Sequence, residues 1–344
     1  MRIAVGVFVL FVVSFQICNA QQYYPNFYLD SFFFYNGPST ATEGNANVYL
    51  INTGDAFSSS YNPALPSYSN NVRFSYSTSQ KINNGEHILY DNYGVDVPIK
   101  NIGTVSLTRR YFDYKFYIGP DLGPNQLPEG SINYASYNLN YSREIYKGLS
   151  CGIGINHFIV DVPYVKGYDK VYNELNLGAS YIYNLPGSDY FSQYAMANIS
   201  VMNIPTTYTK TDLYTDTFLP QIDHVSLGYI SKYGKTNNLD VFQAEIQIEY
   251  SDLLNSKYYN SIGIGGEIKF LEIVSIRAGY YNIKGDYFSD DEITDGLGFS
   301  YPFKVYLEIP LVIGVDYARS KFPDFDPNTK YYFNSYALYL KYDM

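Results

Sequence analysis

The feature that most constrains this chain is a two-residue alternation of apolar and polar side chains, repeated in segments of about ten residues. The clearest segment is 241–250, with Phe242, Ala244, Ile246, Ile248 and Tyr250 on one face and Gln243, Glu245, Gln247 and Glu249 on the other. Segments 133–141, 194–202, 261–270 and 335–342 repeat the pattern. Successive side chains of a strand point to opposite faces, so the period predicts strands. It leaves open which face meets water, because a soluble sandwich also alternates.

The links between these segments distinguish a membrane barrel from a soluble sandwich, because short and long links alternate along the chain. We predict tight links at 101–103, 146–148, 185–187, 233–234, 271–272 and 302–304, and longer polar links at 118–131, 161–171, 204–223, 251–259, 282–295 and 320–331. Outer-membrane barrels have short periplasmic turns and long extracellular loops. Counting from Val72 therefore predicts an all-β fold, a transmembrane antiparallel β-barrel of about 14 strands with both ends in the periplasm.

The first twenty residues have the three parts of a secretory signal peptide. Arg2 supplies a positive charge, residues 3–15 an apolar run, and residues 18–20 a small-x-small cleavage site before Gln21. A lipid anchor on the cysteine of that site would need a small residue before it, and Ile17 is large. We therefore predict a signal peptide at 1–20, and export to the bacterial outer membrane.

Composition supports an exported barrel and excludes several other classes. Cleavage removes Arg2 from a chain of net charge −10, which gives −11, and leaves Cys151 as the single mature cysteine. That excludes a disulfide framework, and the acidic balance argues against nucleic acid as a partner. No stretch after the signal reaches about 18 apolar residues, so membrane helices are not expected. The 42 Tyr and 22 Phe suit the two interfaces of a membrane.

Residues 21–71 do not alternate cleanly. They contain the turn former Asn62-Pro63, and Pro66 follows closely. An irregular segment of this kind cannot face lipid, so it must lie in the lumen or in the periplasm. We therefore divide the mature chain into an N-terminal hatch or plug segment, 21–71, and a barrel, 72–344.

The chain resembles the FadL-type barrels in the order of its N-terminal features, which are a small polar run, the residues Asn62, Pro63, Ala64 and Leu65, and a first strand. Among these barrels it resembles the PorV/PorQ branch of Bacteroidota, which carries a hatch motif of this kind. SIRAGYY (275–281), DGLGFSY (295–301) and VIGVDYA (312–318) are also similar to that branch. The resemblance implies one of two roles. FadL-type members pass hydrophobic molecules through a plugged barrel with a lateral exit, and PorV-type members serve the type IX secretion system.

Our leading hypothesis is a PorV/FadL-like barrel that acts through protein partners, a secretion translocon or surface-attachment proteins. The Tyr-rich link 208–218 favours protein contact, because Tyr gives rigid amphipathic contact area. One alternative is a transporter that takes a hydrophobic ligand across the outer membrane. Another is a structural surface barrel, or a PorP/SprF-like component, which QQYYPNF with YNPAL matches imperfectly. We expect no cofactor.

Six charged residues of the C-terminal half fall on the predicted inner face. They are Glu245, Glu249, Glu267, Lys269, Arg277 and Asp316. They form either the polar lining of a transport path or an ion-paired network that fills and stiffens the interior, and we favour the network.

Other candidate sites are weaker. The chain has three histidines, His87, His157 and His224, but no Gly-x-Ser-x-Gly motif whose serine a histidine could activate. We therefore expect no enzyme activity. The acidic residues Asp286, Asp290, Asp291 and Glu292 do not have EF-hand spacing, and we interpret them as solvated charge rather than a metal site. Arg109 and Arg110 would meet outer-membrane lipid or lipopolysaccharide, or form a rim charge.

Overall fold

The computed structural model describes residues 37–50, 54–83, 86–117, 129–161, 170–206, 221–236, 239–254, 260–284, 289–303, 307–322 and 331–343. Fourteen strands form one closed antiparallel barrel, in which each strand pairs with its neighbours in sequence and the first closes against the last. The predicted barrel of about 14 strands is confirmed. No helix within the described ranges is long and apolar enough to cross a membrane.

The strands are β1 Asn71–Asn83, β2 Glu86–Ile99, β3 Gly103–Tyr117, β4 Glu129–Tyr146, β5 Leu149–Asp161, β6 Lys170–Ser188, β7 Phe191–Pro205, β8 Gln221–Thr236, β9 Leu239–Leu254, β10 Asn260–Phe270, β11 Val274–Lys284, β12 Ser289–Pro302, β13 Leu311–Phe322 and β14 Tyr331–Asp343. Before them come a one-turn helix, α1 (Thr40–Glu43), and two 3-10 turns, Ser58–Ser60 and Leu65–Tyr68.

The apolar side chains of the strands point outward. Ile246, Ile248, Ile262 and Ile264 are 50%, 48%, 52% and 42% exposed, whereas the intervening Gln247 is 2% exposed. A soluble sandwich would show the reverse. The outer wall is therefore an apolar surface of the kind that faces lipid, and the polar faces of the strands line the interior.

The two ends of the barrel differ. We call the end that holds Asn71 and Asp343, which are paired, the terminal end, and the opposite end the loop end. Links at the terminal end include 147–148, 189–190 and 271–273, and those at the loop end include 118–128, 162–169 and 323–330. The predicted sorting of short from long links therefore holds for most links, with two exceptions: the loop-end link 84–85 has two residues and the terminal-end link 303–310 has eight.

Several predicted links have wrong bounds, and four of them differ in ways that have a clear physical or structural description. The long link at 282–295 shortens to 285–288, because Ile283 and Glu292 continue the buried positions of β11 and β12. The tight link at 302–304 lengthens, since β13 begins only after Pro310, which cannot donate to a ladder. Strands β6 and β8 continue through the predicted turns at 185–187 and 233–234 and end at Ser188 and Thr236.

The segment before β1 fills the lumen. We call its described residues, 37–50 and 54–70, the inner segment. A small core of Tyr49, Phe57, Tyr61 and Leu65 holds it together. It also contacts inward-facing groups of the wall, for example through Ser60 Oγ and Thr108 Oγ1 of β3, which lie 3.2 Å apart. The irregular backbone at membrane depth is thus enclosed by protein.

Candidate functional site

The motif Asn62-Pro63-Ala64 docks on the wall where β6 meets β7. The Asn62 side-chain nitrogen donates to the backbone oxygens of Ala179 and Ile199, at 3.2 and 3.1 Å. Its Oδ1 accepts from the backbone nitrogen of Ala64 at 2.9 Å, which fixes the turn. One amide therefore both shapes the motif and ties it to two neighbouring strands.

A pair of glycines makes room for this motif. Gly152 and Gly178 are register partners on β5 and β6. A Cβ on Gly152 would lie 2.0 Å from the Pro63 oxygen, and one on Gly178 would lie 2.1 Å from Asn62 Oδ1. Asn140 of β4 donates to the same Pro63 oxygen at 2.9 Å. The two glycines form a notch, which we call the docking notch, that any side chain would close.

A second glycine pair receives the turn after α1. Gly265 and Gly279 are register partners on β10 and β11. A Cβ on either would lie 2.4 Å from the Asn45 oxygen or 2.5 Å from the Ala46 nitrogen. Sequence analysis missed both pairs. The available signal was glycine at inward positions of neighbouring strands, and it becomes readable only once the register is known.

Buried acids also attach the inner segment. Ser335 of β14 donates to Glu43, and Ser39 donates to Asp55 within the segment. Burial raises the pKa of Glu43 to about 7, although the Ser335 hydrogen bond opposes the shift. Burial also raises the pKa of Asp55, against the hydrogen bonds from Ser39 and the Phe57 backbone.

Four of the six predicted interior charges form one ion-paired cluster. Arg277 Nε lies 2.6 Å from Glu267, and its Nη1 lies 2.5 Å from Asp316. Lys269 Nζ lies 3.1 Å from the other oxygen of Glu267. The Arg277 side chain is 1% exposed, so the cluster is shielded from water. Glu245 is the register partner of Glu267 on β9 and is also buried.

The sixth residue, Glu249, lies apart from that cluster and contacts His224. Both Glu249 Oε1, at 3.0 Å, and Ser251 Oγ, at 2.8 Å, approach the same ring nitrogen, Nδ1 of His224. In a hydrolase relay the histidine base contacts the nucleophile through one ring nitrogen and the orienting acid through the other. This trio therefore lacks the geometry of a hydrolase relay.

A cavity lies between the inner segment and the loop end, and its empty space of about 1000 Å³ includes a part that is open to solvent. Most of its wall residues carry amides or hydroxyls, among them Asn138, Asn156, Asn176, Asn203, Ser136 and Ser251. The inner segment contributes Val48 and Tyr61 to its floor.

An aromatic ladder lies nearer the loop end than the cavity does, and none of its rings is among the residues that line the cavity. It comprises inward rings of five neighbouring strands, β2 to β6: Tyr90, Phe112, Tyr134, Phe158 and Tyr172. Consecutive ring centroids are 4.8, 5.5, 5.8 and 6.3 Å apart. Phe112, Tyr134 and Phe158 are 0%, 3% and 1% exposed. The ladder gives this side of the lumen an apolar inner face, which sequence analysis missed because it assigned inward positions to polar residues.

The two arginines separate onto opposite sides of β3. Arg109 points outward, with its guanidinium 5.7 and 5.0 Å from the ring centres of Tyr93 and Tyr111. Arg110 lines the cavity. Treating them as one rim charge was wrong, because adjacent residues of a strand face opposite ways. A lipid or lipopolysaccharide contact by Arg109 stays a prediction.

The remaining candidates do not assemble into a site. Glu292 points inward and accepts from Tyr281, whereas Asp291 pairs with Asn282. Asp286 and the side chains of Asp290 and His87 lie outside the described residues, and His157 contacts Asn173 on the outer face at 2.8 Å. No group of His, Cys, Asp and Glu in the described part of the chain is arranged to hold a metal ion.

A closed 14-strand barrel with an apolar outer face and a filled lumen defines the class of the protein: it has the fold of an outer-membrane β-barrel. Among solved structures it is similar to a Pseudomonas aeruginosa FadL homologue, with a TM-score of 0.51 and 10% identity over 90% of this chain and 98% of that one. It is also similar to a deletion variant of TodX, described as a monoaromatic hydrocarbon channel, with a TM-score of 0.52 and 10% identity over 89% and 98% of the two chains.

The fold is therefore that of the FadL-type outer-membrane barrels. No sequence-family model matches the chain, and no curated protein matches it.

Proposed function

We propose that the protein is a FadL-like outer-membrane channel that passes hydrophobic small molecules through a lumen closed by the inner segment, which acts as a hatch. The observation that carries the proposal is the aromatic ladder. A water-filled pore for polar solutes would present polar side chains there. Five rings, four of them buried, instead form an apolar layer in the wall between the loop end and the cavity, and we propose that cargo passes along this layer. The fold shared with a hydrocarbon channel supports the same choice.

The contacts of the hatch suit a plug that undocks. Asn62 and Pro63 attach to the wall by hydrogen bonds and by fit to the docking notch. Such contacts can break and reform without unfolding the barrel, whose strands pair only with one another. We propose that cargo enters from the loop end and reaches the terminal side when the hatch moves.

Uptake by whole cells tests the channel. Cells that produce the protein should take up radiolabelled naphthalene several times faster than cells without it. Replacing Phe112→Ser should return uptake towards the background, because it puts a hydroxyl in the middle of the ladder. Tyr111→Ser, the neighbour on the outer face, is the matched control and should leave uptake unchanged. Equal uptake with and without the protein would rule out the channel.

The secretion role stays a hypothesis beside this proposal. The Tyr-rich link 208–218, on which it depends, lies outside the described residues. A pull-down from native membranes distinguishes the two functions. Recovery of translocon or surface-attachment proteins would favour secretion, and a barrel recovered alone would favour the channel.

A further inference from the structure

We infer that Arg109, together with the hydroxyls of Tyr93 and Tyr137, forms a site on the outer wall for the headgroup of a lipid that carries phosphoethanolamine. The phosphate of the headgroup binds Arg109, and its ammonium group binds an acidic residue nearer the loop end. The inference concerns the outer face of β2, β3 and β4, so it goes beyond the proposed channel and does not depend on it.

Tyrosines mark the level at which the outer wall changes from apolar to polar. On four strands, an outward tyrosine lies between an apolar outward residue on its terminal side and a polar outward residue on its loop side. On β14, for example, Tyr336 lies between Leu338 and Asn334. We call these tyrosines the tyrosine belt: Tyr93 of β2, Tyr250 of β9, Tyr317 of β13 and Tyr336 of β14. Tyrosine suits the boundary between lipid tails and headgroups, because its ring is apolar and its hydroxyl is polar.

Arg109 occupies the same level on β3. It is the register partner of Tyr93 on β2 and of Tyr137 on β4. The next outward residue on its terminal side, Leu107, is 53% exposed and belongs to the apolar part of the wall. A cation at the edge of that part needs an anionic partner, because taking an unpaired charge out of water costs far more than taking out a paired one.

No anion among the described residues lies against Arg109. Its guanidinium lies 5.7 and 5.0 Å from the ring centres of Tyr93 and Tyr111, and these contacts hold the side chain against the wall. Arg109 forms neither an ion pair nor a hydrogen bond with any group in the described part of the chain. Its N–H donors therefore remain for a ligand, and a planar guanidinium can bind two oxygens of one phosphate at once.

Two hydroxyls flank this cation. Tyr93 and Tyr137 are 41% and 40% exposed, and neither hydroxyl has a hydrogen-bond partner among the described residues. Tyr317 of the belt, by contrast, donates to Asn334 at 2.9 Å. Register partners on antiparallel strands have Cβ atoms about 5 Å apart, so the three donor side chains start from one small area of the outer wall. A lipid phosphate, whose charged oxygens accept hydrogen bonds, is chemically matched to that set.

Acidic residues nearer the loop end select the group that the phosphate carries. Asp91, the next outward residue after Tyr93 on β2, accepts from Tyr76 with its Oδ1 at 2.9 Å, which leaves the other oxygen for a ligand. Asp113, further along β3, has Lys115 at 3.7 Å. A headgroup with phosphates alone, such as that of lipid A, would bring more negative charge to these carboxylates. Phosphoethanolamine instead places an ammonium group beyond its phosphate, on the side where Asp91 lies.

Lipid binding to the purified full-length barrel tests the inference. Native mass spectrometry in detergent compares dioleoylphosphatidylethanolamine, dioleoylphosphatidylglycerol, which lacks the amine, and lipid A. We expect the ethanolamine lipid to bind about ten-fold more tightly than either of the others, the gain from one more hydrogen bond between charged groups. Arg109→Gln should weaken the binding of both phospholipids about ten-fold. Arg319→Gln, which removes an exposed outward cation opposite Asp295, is the matched control and should change neither.

Further variants separate the amine contact from the phosphate contact. Asp91→Asn keeps an acceptor for the neighbouring tyrosine and should abolish the preference for the ethanolamine lipid over the glycerol lipid. Tyr137→Phe should weaken the binding of both, whereas Tyr317→Phe, whose hydroxyl is held by Asn334, should have no effect. Equal binding of the three lipids, tighter binding of lipid A, or unchanged binding by an Arg109→Gln barrel with native circular dichroism would overturn the inference. Uptake of naphthalene does not enter this test, so its result leaves the proposed channel unaffected.

Discussion

Arg277 is a cation buried between two carboxylates, Glu267 and Asp316. Removing it would leave Asp316 as an uncompensated buried charge and Glu267 paired with Lys269, and losses of this kind cost about 3–5 kcal/mol. We therefore expect Arg277→Met to lower the urea midpoint of unfolding strongly. Adding Asp316→Asn to the same chain should recover most of the loss, because Glu267 keeps Lys269 as its partner. A single variant as stable as the wild type would show that the cluster does not stiffen the barrel.

We expect docking of the inner segment, the proposed hatch, to depend on pH through Glu43. Burial raises the pKa of Glu43 from 4.5 to about 7 in the docked state, so docking favours the protonated carboxyl. The contribution of Glu43 to the free energy of docking is complete below pH 4.5 and is lost as pH rises through about 7. The docking free energy changes by about 3 kcal/mol between these limits. The amides of residues 43 and 44 should exchange hydrogen faster at pH 8 than at pH 5, after correction for intrinsic rates.

Glu43→Gln is the control for that measurement. It keeps a partner for Ser335 and does not titrate, so most of the pH dependence should disappear. Asp55, whose pKa is raised in the same direction, should account for the remainder. Protection that is unchanged between the two pH values would contradict the assignment.

At the scale of elements, β5 carries two inward glycines with different neighbours. A Cβ on Gly152 would meet the Pro63 backbone at 2.0 Å, whereas one on Gly154 would meet the ends of Asn side chains at 2.9 and 3.0 Å. Gly152→Ala should therefore displace the motif and destabilise docking by roughly 1–3 kcal/mol. Gly154→Ala should be accommodated. The rate of protease cleavage of the inner segment in the folded barrel distinguishes the two variants, and it should be higher for Gly152→Ala than for Gly154→Ala.

The strands could be predicted because lipid imposes a strict alternation, but their irregularities could not. Between Leu175 and Leu177, β7 places both Met202 and Asn203 opposite one residue of β6. Asn203 has a φ of 60°, and its amide bonds to the Asn176 side chain. A bulge of this kind depends on a side chain of another strand, so the sequence of β7 does not contain it.

At the scale of the molecule, the outer surface could be predicted better than the interior. Alternation places Arg277, Glu267 and Asp316 on one face, and the closed barrel then brings them together. The attachments of the hatch depend on partners far apart in sequence, such as Asn62 with Ile199 and Glu43 with Ser335. No local pattern encodes those contacts, since they exist only once the barrel has closed around the segment.

Whether the hatch must move is a question about the whole barrel, and a reversible cross-link answers it. Ser60 and Thr108 join the hatch to β3 with side-chain oxygens 3.2 Å apart, and Ser67 and Ser150 join it to β5 at 2.7 Å. In a Cys151→Ser background, Ser60→Cys with Thr108→Cys should form a disulfide across the first contact. Oxidised cells should then take up naphthalene at the background rate, and a reductant should restore uptake.

The second pair distinguishes a locked hatch from an obstructed cavity. Ser60 lines the cavity, whereas Ser67 and Ser150 do not, so Ser67→Cys with Ser150→Cys holds the hatch without entering the path. Both pairs should stop uptake if passage requires undocking, and Thr108→Cys alone should not. Full uptake through both oxidised barrels would show that the hatch is a fixed filler, because cargo would then be passing a segment tied to the wall.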